Sequence, residues 1–263
     1  EDPLTVMRAV GGRDFAYHHA NSLSYIKQEA WTHVVMQNYS TRPTHIGNVA
    51  AHMANGALLY ADVIANNPNT QVHLYMTWAR AEAHSLISGT STNYTFATTD
   101  EMLDELRSNY YALAATLTAN NPDKPPVLVN PVGDAWNHAG GNLPSSDPSF
   151  FDLFASDNYH GNDRGYYLSA CVHYASIYRS SPVGLFETPT VSGLGLTMTA
   201  AEAAYLEHIA WITVLDTDLI DSPILLDFGA DSQKSVRSTL PGATWNNMTE
   251  SLATVPGASI KNL

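Results

Sequence analysis

WTHVVMQNYSTRPTHIGNVAAHMANGALLYADVIANNPNTQVHLYMT, residues 31–77, decides the fold. Residues 31–37 (WTHVVMQ) are apolar and β-branched with little polar alternation, the pattern of a strand buried on both faces. Residues 46–65 place Met53, Ala57, Leu58 and Val63 near helical spacing, and Asn66-Asn67-Pro68 stops the helix. Residues 71–77 (QVHLYMT) then read as a second buried strand. A strand, a helix of ten or more residues and another strand make a βαβ unit, so the two strands lie parallel in one sheet.

Working outward, the alternation continues. Residues 99–119 predict a helix, capped by Thr99 or Asp100, with acidic residues in its first turn that suit the helix dipole. Residues 127–132 are a further strand. Upstream, residues 4–9 read as a strand running into a Gly11-Gly12 turn, and residues 21–29 as a helix capped by Asn21 or Ser22. Downstream, residues 165–179 and 199–216 are helical, the latter with Thr199 and Glu202 as a capping box. The expected architecture is α/β: a three-layer α/β/α sandwich of flavodoxin-like type on a parallel sheet. Ligands on such sheets sit beyond the carboxyl ends of the strands. That rule singles out Gly11-Gly12, Gln37-Asn38, residues 77–80, residues 131–133 and residues 157–160.

From residue 222 the composition shifts. Residues 223–229 (PILLDFG) read as a strand, and Ser, Thr, Gly and Pro dominate to the end. The division expected is 1–221 for the α/β domain and 222–263 for a linker and the start of a β-rich module. About 40 residues fall short of an independent β-sandwich of about 100, which is why the module reads as partial; a hairpin packed on the main domain is the alternative.

The chain holds 12 Lys and Arg against 25 Asp and Glu, a net charge of −13. An acidic, lysine-poor surface argues against nucleic acid and anionic membranes, both of which need a basic footprint. It suits neutral or acetylated substrates. Cys171, the single cysteine, lies in an apolar helix, which excludes an intramolecular disulfide and disfavours a thiolate nucleophile. No apolar run reaches the roughly 18 residues that a membrane-crossing helix needs. An opening at Glu1-Asp2-Pro3 reads as a mature or trimmed product, secreted or periplasmic.

Asp157 precedes His160 by three residues, just ahead of a helix. A carboxylate can hold one imidazole nitrogen there while the other faces a cleft as a general base. The bare D-x-x-H spacing also occurs by chance in loops, so the pair alone leaves catalysis and loop structure both open. Among His18, His19, His45, His52, His73, His84, His138 and His173, no pair forms H-E-x-x-H or a tight carboxylate cluster, and no metal or other cofactor is expected.

The segment DNYHGNDRGYYLSA, residues 157–170, closely resembles the last sequence block of the SGNH (GDSL-type) hydrolases. Gly11-Gly12-Arg13-Asp14-Phe15 is similar to that family's second block, and WTHVVMQNYS to the third-block strand of a bacterial branch. Residues 75–79 and 130–136 also look like that branch. The resemblance covers roughly residues 9–216. It implies a serine esterase acting on small acyl (acetyl-like) esters, possibly on carbohydrate. His160 would be the base and Asp157 its orienting partner, with Gly12 and Gln37, or else Asn38, stabilising the oxyanion. Thr77, Trp78 and Trp136 would wall the substrate pocket. The family's Gly-x-Asn-Asp pattern is missing, and no segment matches its nucleophile turn. Ser22 mimics that turn but reads as a helix cap. The serine is therefore expected on a strand upstream of Glu1, beside the strand at residues 4–9. The competing reading is a catalytically inactive, esterase-like carbohydrate-binding module that presents Trp78 and Trp136 to a glycan.

Overall fold

A computed structural model describes residues 3–87 and 95–218, together with the strands at 224–227 and 244–247. The chain divides into two compact units, Glu1–Val214 and Leu215–Leu263.

The first unit is an α/β fold. Its sheet comprises β1 (His33–Met36), β2 (Gln71–Tyr75) and β3 (Leu128–Asn130), parallel and in the order β1-β2-β3. The register sets Met36 beside Leu74 and Tyr75 beside Asn130. The period of two along β2 explains why both faces need covering. Val72 and Leu74, with Met76 beyond the strand end, point into a core built with α3 (Val49–Asn66) and α4 (Thr99–Asn120), where Leu59, Tyr60, Val63, Leu103, Leu106 and Leu113 are buried. His73 and Tyr75 face the other way. Tyr75 meets His173 of α6 (Asp163–Tyr178) ring to ring, and α6 packs with α8 (Ala200–Asp218) through Leu168, Cys171, Val172, Leu206 and Ala210. One helical layer lies on each face, as the apolar strands require.

Several elements differ from expectation for local reasons. Residues 4–9 form no strand, and Leu4, Val6 and Met7 stand exposed. Among the described residues they pair with no strand, although the edge of β1 is open, and an unpaired run cannot satisfy its backbone as a strand. The first helix begins earlier, as α1 (Phe15–Asn21), because Asp14 accepts a hydrogen bond from the Tyr17 N–H and caps it; α2 (Leu23–Ile26) follows. Ser22 occupies the cap position of α2 without capping it, and its Oγ lies 2.9 Å from His18 Nδ1. The cap of α4 falls one residue ahead, at Thr98, and α6 starts two residues ahead, at Asp163, capped by Asn162. Immediately after β3, residues expected to extend the strand start α5 (Val132–His138). Gly133 makes that turn possible, since a Cβ there would come within 2.6 Å of the Thr77 carbonyl oxygen. The short α7 (Pro189–Ser192) lies between α6 and α8 in the chain.

In the second unit, β4 (Ile224–Asp227) and β5 (Thr244–Asn247) pair in parallel. A hairpin would pair them antiparallel. The rest of the expected β-rich module lies outside the described residues.

Candidate functional site

The loop between Leu153 and α6 is fixed before any side chain is considered. Phe154 and Gly161 form an antiparallel bridge, and the Ala155 N–H donates to the His160 carbonyl at 2.8 Å. Between them Asn158 adopts a left-handed conformation, φ 58°, which asparagine tolerates better than most residues. The exit of β2 fastens this loop from the side. Trp78 Nε1 donates to the Tyr159 carbonyl at 3.0 Å, and the Ala81 N–H donates to that of Asn158 at 3.2 Å. Asn162 then caps α6 and donates to the Asp152 carbonyl.

This frame brings Asp157 and His160 together. Asp157 Oδ2 lies 2.7 Å from His160 Nδ1, while Oδ1 accepts the backbone N–H groups of His160 at 2.9 Å and Tyr159 at 3.0 Å. The hydrogen bond from the His160 ring, then those two backbone donors, hold the Asp157 carboxyl down to about 2. The ionised carboxylate thus fixes Nδ1 as the protonated nitrogen, which leaves Nε2 with a lone pair. Both side chains are solvent-accessible, and Nε2 bonds to none of the described residues.

The other residues singled out from the sequence divide in two. Gly12 lies in an exposed left-handed turn, φ 70°, with open space around it, and Gln37 is exposed just past β1. Asn38, by contrast, is buried, and both polar atoms of its side chain are hydrogen-bonded within the protein. Its Oδ1 accepts from the Phe15 and Tyr39 N–H groups, its Nδ2 donates to His52, and its own N–H donates to Tyr110. An amide buried at 2% exposure and oriented toward Phe15, Tyr39 and His52 does not face an oxyanion at the surface, which corrects that expectation.

The tryptophans are a second correction. Trp136 is fully buried and Trp78 nearly so; their rings stack 4.2 Å apart at 2°. Trp136 Nε1 donates to Ser169 Oγ, and its ring edge meets Phe154. The pair is the wall behind the Asp–His loop rather than a surface offered to a glycan. Thr77 is likewise buried, at 3% exposure, beside the buried Tyr110 hydroxyl. Sequence reasoning placed Thr77 and Trp78 correctly just past a strand end, but Trp136 lies within α5, and the pattern could not show which way any of them faces.

Sequence reasoning gave no role to Ser40, Arg80 or Tyr159, although Arg80 and Tyr159 fall in the strand-exit segments it singled out. Arg80 is buried at 3% exposure, donates from Nη2 to Ser40 Oγ at 2.8 Å, and lies over the Tyr159 ring with Cζ 3.6 Å from the centroid. Tyr159 in turn packs against His160, ring centroids 4.0 Å apart, and its hydroxyl is 3.4 Å from Ser40 Oγ. The signal was present, because Arg80 ends the strand-exit segment 77–80 where ligands are expected.

No described serine meets His160, and Ser22 is held by His18. Cys171 is buried, and burial pushes its thiol up to about 12, so it stays an unreactive thiol. Two surface hollows lie away from the pair. One, of about 440 Å³, is lined by Asp100, Glu101, Asp104 and Glu105; the other, of about 120 Å³, lies at the amino ends of the strands beside His33 and His73.

No family model and no curated protein matches this chain. Among solved structures it is similar to a DUF4886 family protein from Bacteroides uniformis. The two are 15% identical with a TM-score of 0.57, over 75% of this chain and 67% of that one. At that identity the likeness is one of fold.

Proposed function

We propose that this chain carries the acid–base half of a serine esterase acting on small acyl esters, possibly on carbohydrate. The observation that carries the reading is the Asp157–His160 pair. An ionised carboxylate 2.7 Å from Nδ1 presets the tautomer and stabilises the imidazolium that forms when Nε2 takes a serine proton. His160 then returns that proton to the leaving alcohol, and water repeats the sequence on the acyl-enzyme. Gln37, exposed past β1, and the Gly12 N–H are the proposed oxyanion donors.

The serine is proposed to arrive on a further strand. β1 pairs with β2 alone among the described residues, Val35 in its middle is 39% exposed, and residues 4–9 have no strand to join. A parallel sheet open on such an edge has backbone donors and acceptors to offer an added strand. The position following that strand would lie at the sheet's carboxyl end, on the side of His160.

The test is hydrolysis of 4-nitrophenyl acetate by the natural full-length protein, beside its His160→Ala variant. Activity that vanishes with His160 supports the reading. Undiminished activity in the variant, or none in the full-length protein, overturns it.

A further inference from the structure

Arg80 is out of place in this molecule. Arg42 meets Asp14, Arg107 meets Asp104 and Asp134, and Arg164 meets Glu202, each partly exposed. Among the described residues Arg80 is the one buried Arg or Lys, yet no carboxylate lies within ion-pair distance of it. Its Nε is buried without an acceptor. Burial pulls its pKa down, but from so high an ordinary value that the guanidinium keeps its charge. Tyr159 and, from beyond ion-pair distance, the Asp157 carboxylate favour the charged form, but no carboxylate touches it, and a buried cation without one in contact is costly. Cations of this kind persist where an anion arrives from outside.

Resting on the esterase reading above, we propose that Arg80 and Ser40 form an anion subsite beside His160, so that the ester taken here carries a carboxylate a few bonds from its acyl carbonyl. The placement sets the length. The guanidinium lies 3.6 Å from the Tyr159 ring centroid and the His160 ring lies 4.0 Å from the same point. The guanidinium and the base are therefore less than about 8 Å apart, a gap that a chain of three or four bonds at about 1.5 Å each bridges once hydrogen-bond lengths are added. Ser40 Oγ already accepts from Nη2, and its own proton, shared at most with the Tyr159 hydroxyl 3.4 Å away, can turn to a carboxylate oxygen. The guanidinium fork supplies the planar pair of donors that a carboxylate fits. The acidic surface, net −13, does not attract anions at long range, so the subsite selects by contact rather than by steering.

Titration of the 263-residue chain with succinate, and separately with neutral succinamide, tests this without requiring turnover. The expected result is saturable movement of the Tyr159 and His160 ring resonances with succinate and none with succinamide. Arg80→Gln should weaken succinate binding at least tenfold, and Ser40→Ala several-fold. If Arg80→Gln does not fold, Arg80→Lys keeps the charge without the fork and should also weaken binding. Equal response to the two probes, no saturation, or undiminished succinate binding in the folded Arg80 variant would overturn the subsite. Carboxylate binding by a full-length protein that hydrolyses no ester would sink the esterase reading and leave the anion subsite standing without its ester.

Discussion

His160 and Asp157 are joined by a short hydrogen bond in open solvent, so their partnership depends on geometry rather than on burial. His160→Ala in the full-length protein should lower the esterase rate by at least about 10² to 10⁴. His173→Ala is the informative control. That ring lies on α6 and receives a hydrogen bond from Asn130 Nδ2, so its loss should cost stability while the folded fraction keeps most of its activity. Equal loss in both variants, per folded molecule, would remove His160 from its role. Asp157 gives a second test. Its carboxyl is depressed to about 2, with the His160 ring as the largest cause, so its ¹³C carboxyl shift should titrate near there, and in His160→Ala should move back toward the ordinary carboxylate value. A wild-type titration near 4 would contradict the geometry. What the sequence revealed at this scale was the D-x-x-H pair, a local pattern. Arg80 and Tyr159 escaped because their contact joins residues 79 apart, and no local pattern reports which side chain is buried against which.

At the scale of elements, the strand and helix alternation of the β1-α3-β2-α4-β3 run was legible because period and stop signals coincide there. α5 was not, since its turn depends on the close approach of Gly133 to the Thr77 carbonyl, a tertiary fact. Residues 4–9 misled for the opposite reason: they have strand composition but no partner. Gly165 shows how tightly one element is tied to the site. A Cβ there would lie 2.3 Å from the Leu153 carbonyl oxygen and 2.6 Å from the Trp136 ring, both immediately behind the Asp–His loop. Gly165→Ala should therefore destabilise the fold by about 1 to 3 kcal/mol, the usual cost of overpacking. It should also alter the near-ultraviolet dichroism of the stacked Trp78–Trp136 pair. Unchanged urea unfolding with an unchanged tryptophan signal would mean that α6 can shift to make room, and that the loop is less rigidly backed than the contacts indicate.

For the whole molecule, the histidines buried in the core set how it meets acid. His52 and His73 are essentially inaccessible, and burial pulls each down to about 4; His173, linked to His73 through Asn130, is pulled the same way. A depressed imidazole stays neutral in the folded chain while the unfolded chain takes up its proton from about pH 6.5 downward. Stability is thus present above that pH and is lost as pH falls from about 6.5 to about 4, by up to roughly 3 kcal/mol for each fully buried ring at 1.36 kcal/mol per unit. An opposing effect exists, because lowering the pH toward the pI of about 5.1 relieves repulsion within a chain of net charge −13. That repulsion is spread over the surface and screened beyond about 8 Å at 0.15 M salt, whereas the histidines are not screened, so the histidines should win. Asp157 contributes nothing in this window, since its stabilisation is lost only as pH falls below the ordinary carboxylate value toward about 2. Urea unfolding at 0.15 M salt should therefore show stability dropping between pH 6.5 and 4.5. Asp157→Asn should leave the slope intact, and His52→Gln should flatten it by about one proton. A stability that rises across that range would mean that charge relief outweighs burial, and that His52 and His73 are reached by water.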